Sequence, residues 1–172
     1  CPHPLNCAAG QRLKFEPHFK YFQDSGFEIE VESFMTDRLW DIAYLDGHLL
    51  EKTFLTLIAF IKRFFKLFFL KKYDAVYIFM YVVPFGPSFF ERIACLVSKK
   101  IIYDIEDNLL EQDNDDKRFI KRIFNSNLRY QYLIKKADHI VTSTQSLAED
   151  CMKFSEKLNA TCILPTLSKT RF

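Results

Sequence analysis

Three carboxylates stand at the end of a short apolar segment and could carry chemistry. Asp104 lies within the run Ile101–Ile105, and Glu106 and Asp107 follow that run directly. Because side chains alternate in direction along a strand, Asp104 and Glu106 are expected to share one side, with Asp107 beginning the loop. Such carboxylates can orient a hydroxyl group or accept its proton, and a cluster of them can also hold a divalent cation. The simpler interpretation is that Asp107 and Asn108 cap the following turn.

A second group suited to ligand binding lies near the beginning of the sequence. The small residues Ala8, Ala9 and Gly10 precede a predicted helix. This helix covers Gln11–Gln23 and carries Arg12 in its first turn. Small side chains let backbone N–H groups approach a phosphate at a helix N-terminus, and an arginine can neutralise the same charge. The alternative is a tight connection between a strand and a helix that needs small residues only for packing.

The elements around the acids predict how both groups are positioned. Tyr73–Tyr81 is rich in aromatic and β-branched residues, which is typical of a strand buried on both faces. After a break rich in proline and glycine, Ser88 is suited to cap a helix over Phe89–Val97, and Ile101–Ile105 forms the next strand. This spacing predicts a right-handed parallel crossover. Ligands bind at the carboxyl edge of such sheets, which is where the three acids lie.

The rest of the chain continues the alternation of helices and strands. Phe27–Phe34 alternates apolar residues with glutamates and predicts a half-exposed strand, whereas residues 35–47 are predicted to be irregular. This alternation predicts a single domain over residues 1–172 with a doubly wound α/β fold. Its sheet is expected to be Rossmann-like and mostly parallel, with helices on both faces. The strand expected before the first loop should precede Cys1. The further predicted elements are His48–Leu70, Asp138–Thr142, Leu147–Leu158 and Thr161–Leu164.

Composition narrows the class of protein. The 172 residues suffice for one domain with a large core, and a net charge of +2 does not call for a nucleic-acid partner. The five cysteines have no CxxC spacing, so neither a disulfide framework nor a zinc site is predicted, and a reducing cytosol fits them better. Aromatic residues make up 16% of the chain, so apolar surface could remain after the core is filled.

Two stretches predict contact with a membrane surface. Thr53–Leu70 is the longest apolar run, but Lys62, Arg63 and Lys66 exclude a spanning helix and leave an interfacial one. Lys117–Lys136 contains seven bases and no acid. On a helix, four of these bases fall within about 40° of one another and could form a ridge that meets anionic headgroups. In each case the alternative is an ordinary helix whose charged residues face solvent.

Several local signatures, taken in order, match a known family. They are the small-residue loop and Gln-Arg pair in Pro4–Phe15, the strand and Pro-Gly turn in Lys72–Phe90, the Tyr-Asp-Ile-Glu-Asp ending of Lys100–Asn108, the Ala-Asp start of Ala137–Ser146, and the closing Ile163–Thr166. By their order and spacing, the chain resembles the N-terminal, acceptor-side domain of GT-B fold glycosyltransferases. The likeness is to family 4, the large retaining group of nucleotide-sugar-dependent enzymes, and spans nearly the whole chain.

The resemblance implies a retaining transfer of a sugar from a nucleotide-sugar donor to a glycan or a lipid-linked acceptor. The amide groups of Ala8–Gly10, with Arg12, would bind the departing diphosphate. Asp104 and Asp107, with Glu106 as the alternate, would contact the acceptor hydroxyl, and no resident metal or cofactor is expected. The nucleotide-sugar domain would lie in a C-terminal half absent from this sequence, so this chain alone is expected to be inactive. The expected location is the cytoplasm, at the inner face of the membrane if the acceptor is lipid-linked.

Two departures from the family pattern leave other functions open. Glu106 stands where aspartate is commoner, and Ala8-Ala9-Gly10 replaces a Gly-Gly pair. The alternatives are a non-catalytic, flavodoxin-like binding or regulatory module and half of a GT-B-type sugar-nucleotide epimerase. The glycosyltransferase interpretation requires Ala8–Gly10 and the acids of Asp104–Asp107 to line the same edge of one parallel sheet.

Overall fold

The computed structural model describes residues 1–107 and 126–164. Within them, four short strands form one parallel sheet in the order β1-β2-β3-β4. In this sheet, Tyr103 is aligned with Ile78 on one side and with Ile140 on the other. The predicted α/β class with a parallel, Rossmann-like sheet is therefore confirmed. The strands are β1 (Val76–Phe79), β2 (Ile101–Ile105), β3 (His139–Thr142) and β4 (Ala160–Cys162).

Seven α-helices accompany the sheet in the described part of the chain. They are α1 (Ala9–Lys14), α2 (Phe19–Asp24), α3 (Asp37–Ala43), α4 (Leu49–Leu67), α5 (Phe89–Val97), α6 (Ser126–Lys136) and α7 (Gln145–Phe154). Short 3-10 helices occupy Glu16–His18 and Leu70–Lys72. Helix α5 connects β1 to β2 and has the predicted bounds, so the parallel crossover forms where the sequence pattern places it.

One face of the sheet carries the main hydrophobic core. Tyr103 and Ile105 of β2 are completely buried and belong to one cluster with Ala94 of α5 and Leu133 of α6. Burial of a large apolar side chain stabilises the fold by about 1.5–3 kcal/mol. The Tyr103 hydroxyl donates to the Met80 carbonyl at 3.0 Å, so its polar end is satisfied inside the core.

The opposite face of the sheet is covered over β1 and β2 by α1. The ring of Phe15, which ends α1, lies 5.6 Å from that of Tyr77 and 5.2 Å from that of Phe79. On the same face, Lys14 pairs with Asp104 of β2. Helices therefore pack on both faces of the sheet, as a doubly wound arrangement requires.

The prediction of a half-exposed sheet strand over Phe27–Phe34 is wrong within the described residues. The α-amino group of Cys1 donates to the Glu32 carbonyl, and the Phe34 amide donates to the Cys1 carbonyl, both at 2.9 Å. These two bonds have the pattern of a single parallel bridge. The carboxylate of Glu32 also lies 3.7 Å from Lys62 of α4. The alternating glutamates therefore serve ion pairs with the neighbouring helix.

Other boundaries also differ from the prediction. Residues 35–47 contain α3, whose N-cap Thr36 accepts a hydrogen bond from the Leu39 amide at 3.2 Å. The helix predicted over Gln11–Gln23 is divided near Pro17 into α1, a 3-10 turn and α2. The cause is that proline has no N–H to continue the helical pattern. Among the described helices, none combines the length and hydropathy needed to cross a bilayer.

The basic ridge predicted over Lys117–Lys136 requires a correction. Its first part lies outside the described residues, as do the acids that follow Asp107. Arg129 is only 2% exposed and donates to the carbonyl oxygens of Val83 at 2.6 Å and Pro84 at 3.2 Å. Arg129 therefore holds the turn after β1 and does not belong to a solvent-facing ridge.

Candidate functional site

The loop that precedes α1 is held by two polar side chains. The buried carboxamide of Gln11 accepts a hydrogen bond from the His3 amide at 3.0 Å and donates to the His3 carbonyl at 3.1 Å. The carboxylate of Glu16 accepts from the Asn6 amide at 3.1 Å. Because these contacts hold both ends of the loop, Ala8–Gly10 begins α1 at a defined place above the sheet.

Gly10 lies against the side chain of Glu106. A Cβ atom at position 10 would stand 2.9 Å from Glu106 Oε2 and 3.5 Å from the ring of Phe79. A larger residue at position 10 would force the Glu106 carboxylate to shift from this position. The expected meeting of the Ala8–Gly10 turn with the acids of Asp104–Asp107, at the carboxyl edge of a parallel sheet, is therefore confirmed.

Asp104 is the buried member of the acidic group. Its Oδ1 lies 3.3 Å from Lys14 Nζ, in an ion pair without the angles of a hydrogen bond, and its Oδ2 accepts from the Tyr77 hydroxyl. Burial raises the pKa of the Asp104 carboxyl, and the Tyr77 hydrogen bond and the Lys14 charge oppose that rise. No surface of this side chain reaches solvent. Asp104 therefore does not fit the predicted role of a direct ligand to an acceptor hydroxyl, and it supports the strand end instead.

Glu106 and Asp107 are the acids that remain accessible. Glu106 is partly exposed and Asp107 is exposed. Burial raises the pKa of the Glu106 carboxyl; the charge of Lys14 opposes this rise and that of Asp104 adds to it. The Ser143 hydroxyl, just after β3, donates to the Glu106 carbonyl at 2.8 Å. This bond joins the ends of β2 and β3 and fixes the backbone from which both acids project.

Ala8, Ala9 and Arg12 belong to the same loop and first helical turn as Gly10. Ala8 is the N-cap of α1 and makes no side-chain cap hydrogen bond. The first N–H groups of any helix have no partner within it, so those of Ala9 and Gly10 are suited to an anion. Because α1 has only six residues, its dipole contributes little and a cation is needed nearby. Arg12 is half-buried, and its Nε has no hydrogen-bond partner among the described residues.

Sequence reasoning did not identify Gln11, Lys14 and Tyr77 as supports of the site. One signal for the first two was present, because Gln11 and Lys14 share a helical face with Phe15 at the spacing i, i+3, i+4. Polar groups on the same helical face as an aromatic ring that packs on the sheet indicate buried polar contacts. Tyr77 reaches Asp104 only through the pairing of β1 with β2, which the local pattern does not display.

The site has the chemistry of hydroxyl and anion binding. In residues 1–107 and 126–164, no group of three or more His, Cys, Asp or Glu side chains is arranged to hold a metal ion. The acids also differ in role, since Asp104 faces Lys14, Glu106 is partly exposed beside Gly10, and Asp107 is exposed. Carboxylates beside unpaired amides and an arginine could place a hydroxyl next to a phosphate.

No family model, curated protein or solved structure matches this chain. The function must therefore follow from the residues at the carboxyl edge of the sheet and from their geometry.

Proposed function

We propose that the chain is the acceptor-side domain of a GT-B-type glycosyltransferase, which transfers a sugar from a nucleotide-sugar to a hydroxyl of a glycan or a lipid-linked acceptor. The observation that carries this proposal is the approach of Gly10 to Glu106. It brings the small-residue turn and the acids to one edge of a parallel sheet, where α/β folds bind ligands. The order of the segments that resemble such enzymes adds support.

The proposed transfer breaks the bond between the anomeric carbon of the sugar and a diphosphate oxygen. A new bond forms between that carbon and the acceptor oxygen, whose proton leaves, and the nucleoside diphosphate departs with the bonding electrons. A carboxylate near the acceptor and hydrogen-bond donors near the diphosphate lower the barrier of such a step. In this arrangement Glu106 and Asp107 orient the acceptor hydroxyl, and the raised pKa of Glu106 suits it to receive the proton.

The diphosphate would be held by the other segment of the site. The proposed donors are the N–H groups of Ala9 and Gly10, at the start of α1, together with the guanidinium of Arg12 in the same helix. Asp104 takes a positioning role in this proposal, since Lys14 and Tyr77 occupy its carboxylate.

A first experiment tests ligand binding by the chain alone. Titration of ¹⁵N-labelled protein with UDP and with GDP should shift the amide resonances of Ala9, Gly10 and Glu106. Gly26 and Gly47, which lie in turns after α2 and before α4, serve as internal controls and should not shift. Unchanged Gly10 and Glu106 resonances in the complete product of the reading frame, at nucleotide concentrations that saturate it, would contradict the proposed diphosphate site.

A second experiment tests transfer. The resemblance places donor binding in a second domain, so the assay uses the complete product of the reading frame that encodes this chain, with a panel of labelled nucleotide sugars. Glu106→Gln and Asp107→Asn should each lower the turnover rate by about 10²–10⁴-fold. Glu149→Gln, an exposed acid on α7, is the matched control and should leave the rate unchanged. A non-catalytic module predicts no transfer from any donor.

A further inference from the structure

Helix α4 has an apolar outer face that extends along most of its length. Its members are 50–87% exposed although all are large and apolar. At about 100° per residue they lie within about 80° of one another, and they span about 22 Å of the helix axis. Isolated exposed apolar side chains are ordinary, whereas a continuous row of them marks an interaction surface. The outer face of α4 consists of Leu50, Phe54, Leu57, Ile61 and Phe65.

A different set of side chains attaches α4 to the protein. Ala59 and Leu67 are buried, and the ring of Phe60 lies 5.0 Å from that of Phe34 and 5.6 Å from that of Phe90. These residues point away from the outer face by roughly 100–180°. The outer face therefore takes no part in packing α4 against the rest of the domain.

Charges border the outer face without interrupting it. Residues 53–61 contain no charged side chain. Lys62 lies about 60° beyond one edge of the face, and Lys71 and Lys72 follow the helix. Glu30 and Glu32 pair with these lysines, Glu32 at 3.7 Å from Lys62 and Glu30 at 3.0 Å from Lys72, and both also pair with Lys66 on the attached side of α4. The four bases outnumber the two acids.

The single acid in the first turn of α4 is also neutralised. Glu51 accepts hydrogen bonds from Arg38 at 2.7 and 3.0 Å. Thr53 is an uncharged polar residue next to the outer face, and its hydroxyl donates a hydrogen bond to the Leu49 carbonyl at 2.8 Å. The face therefore offers no free hydrogen-bonding group of its own, although protein interfaces usually carry about one hydrogen bond per 100–200 Å². A purely apolar face with a lysine border matches the boundary between acyl chains and anionic headgroups.

We propose that α4 binds the surface of an anionic lipid bilayer, with its axis along the membrane plane and its outer face among the acyl chains. The lysines at its border then lie at the level of the phosphate groups. This inference does not depend on the proposed sugar transfer, because it concerns a different surface and needs no substrate.

Sedimentation with lipid vesicles tests the proposal. The chain should pellet with vesicles of mixed phosphatidylcholine and phosphatidylglycerol, and much less with phosphatidylcholine alone. Phe54→Gln/Ile61→Gln should lower the partition coefficient by about tenfold per side chain. The matched control is Phe154→Gln/Leu158→Gln, which changes exposed apolar residues at the end of α7 and in the loop before β4, and should bind as wild type.

A fluorescence measurement locates the inserted face. Phe54→Trp in a Trp40→Phe background leaves one tryptophan in the chain. Its emission should shift to the blue on addition of anionic vesicles and should be quenched by brominated acyl chains. Circular dichroism checks that each variant is folded.

Three outcomes would overturn the proposal. They are failure to bind anionic vesicles, equal binding by Phe54→Gln/Ile61→Gln and wild type, and equal binding to neutral and anionic vesicles. If sedimentation velocity instead shows a dimer that Phe54→Gln/Ile61→Gln abolishes, and vesicles are not bound, the face belongs to a second copy of the chain. The nucleotide titration and the transfer assay test the glycosyltransferase proposal separately, so the two proposals can fail independently.

Discussion

Gly10 and Glu106 are 96 positions apart in the chain, yet a Cβ on the first would stand 2.9 Å from the carboxylate of the second. The glycine permits this approach and is not required by its backbone angle, because it lies in the first turn of α1. The two residues therefore couple the first loop to the end of β2, and substitutions at one position should change the effect of substitutions at the other.

Gly10→Ala should have different effects on stability in two backgrounds. Alanine favours a helix over glycine by about 0.5–1 kcal/mol, but its methyl group would displace the Glu106 carboxylate in the wild type. In the wild type, we expect Gly10→Ala to leave the free energy of unfolding unchanged or to lower it. In the Glu106→Ala background, the same substitution should raise the free energy of unfolding by about 0.5–1 kcal/mol. Urea denaturation of the four proteins gives the coupling energy. Equal effects in both backgrounds would show that the two residues do not interact.

The buried pair of Lys14 and Asp104 should be costly to break from one side. Lys14→Met leaves the Asp104 charge buried without a counter-ion and should lower the free energy of unfolding by about 3–5 kcal/mol. Lys14→Met/Asp104→Leu removes both charges and should cost less than the single substitution. Lys99→Met serves as the control, because its pair with Asp74 is exposed and should contribute at most about 1 kcal/mol. A double variant less stable than the single one would contradict this account.

Glu91 should make the stability of the protein depend on pH. It is completely buried in the first turn of α5, and neither carboxylate oxygen has a hydrogen-bond partner among the described residues. Burial raises the pKa of Glu91, while the charge of Arg129 and nearby backbone amides oppose the rise. A raised pKa in the folded state means that the folded protein keeps this proton to a higher pH than the unfolded chain. The resulting stabilisation is present below the unfolded carboxyl pKa of about 4.3 and is lost as the pH rises through the folded value.

The stability of Glu91→Gln relative to the wild type should therefore increase as the pH rises from about 4 to about 7. The reason is that glutamine has the same shape as glutamate and no charge to bury. Urea denaturation at both pH values measures the difference between variant and wild type. Glu149→Gln, on the surface of α7, should show no such change. If the difference between Glu91→Gln and wild type is independent of pH, Glu91 does not titrate as its burial requires.

Two helix caps offer a matched comparison. The Thr144 hydroxyl accepts a hydrogen bond from the Leu147 amide at 3.2 Å, whereas Ser88 makes no cap bond and accepts from Arg92 Nε at 3.2 Å. Thr144→Ala should lower the free energy of unfolding by about 1 kcal/mol, and Ser88→Ala by clearly less. Thermal unfolding of the two variants measures both effects, and an equal loss of stability would contradict the assignment of the caps.

Part of the fold could be read from local patterns. Helix α5 and strand β2 have the predicted bounds, because proline and glycine end the preceding strand and the apolar periodicity changes within a few residues. The position of Glu106 at the carboxyl edge of the sheet follows from the same pattern. Secondary structure of this kind depends on neighbours in sequence, which a single chain displays directly.

The environments of the charged residues could not be read in this way. Asp104 and Arg129 were predicted to face a ligand and solvent, yet both are buried against groups from distant segments. The strand predicted over Phe27–Phe34 bonds instead to Cys1, and its glutamates pair with α4.

The sequence by itself determined the alternation of helices and strands, the parallel class of the sheet and the edge at which the acids lie. Only the tertiary structure decided which acids stay accessible, which bases are buried and which face of α4 is left exposed. The reason is physical: the burial and the pKa of a side chain depend on atoms brought close by packing, and those atoms lie far away along the chain.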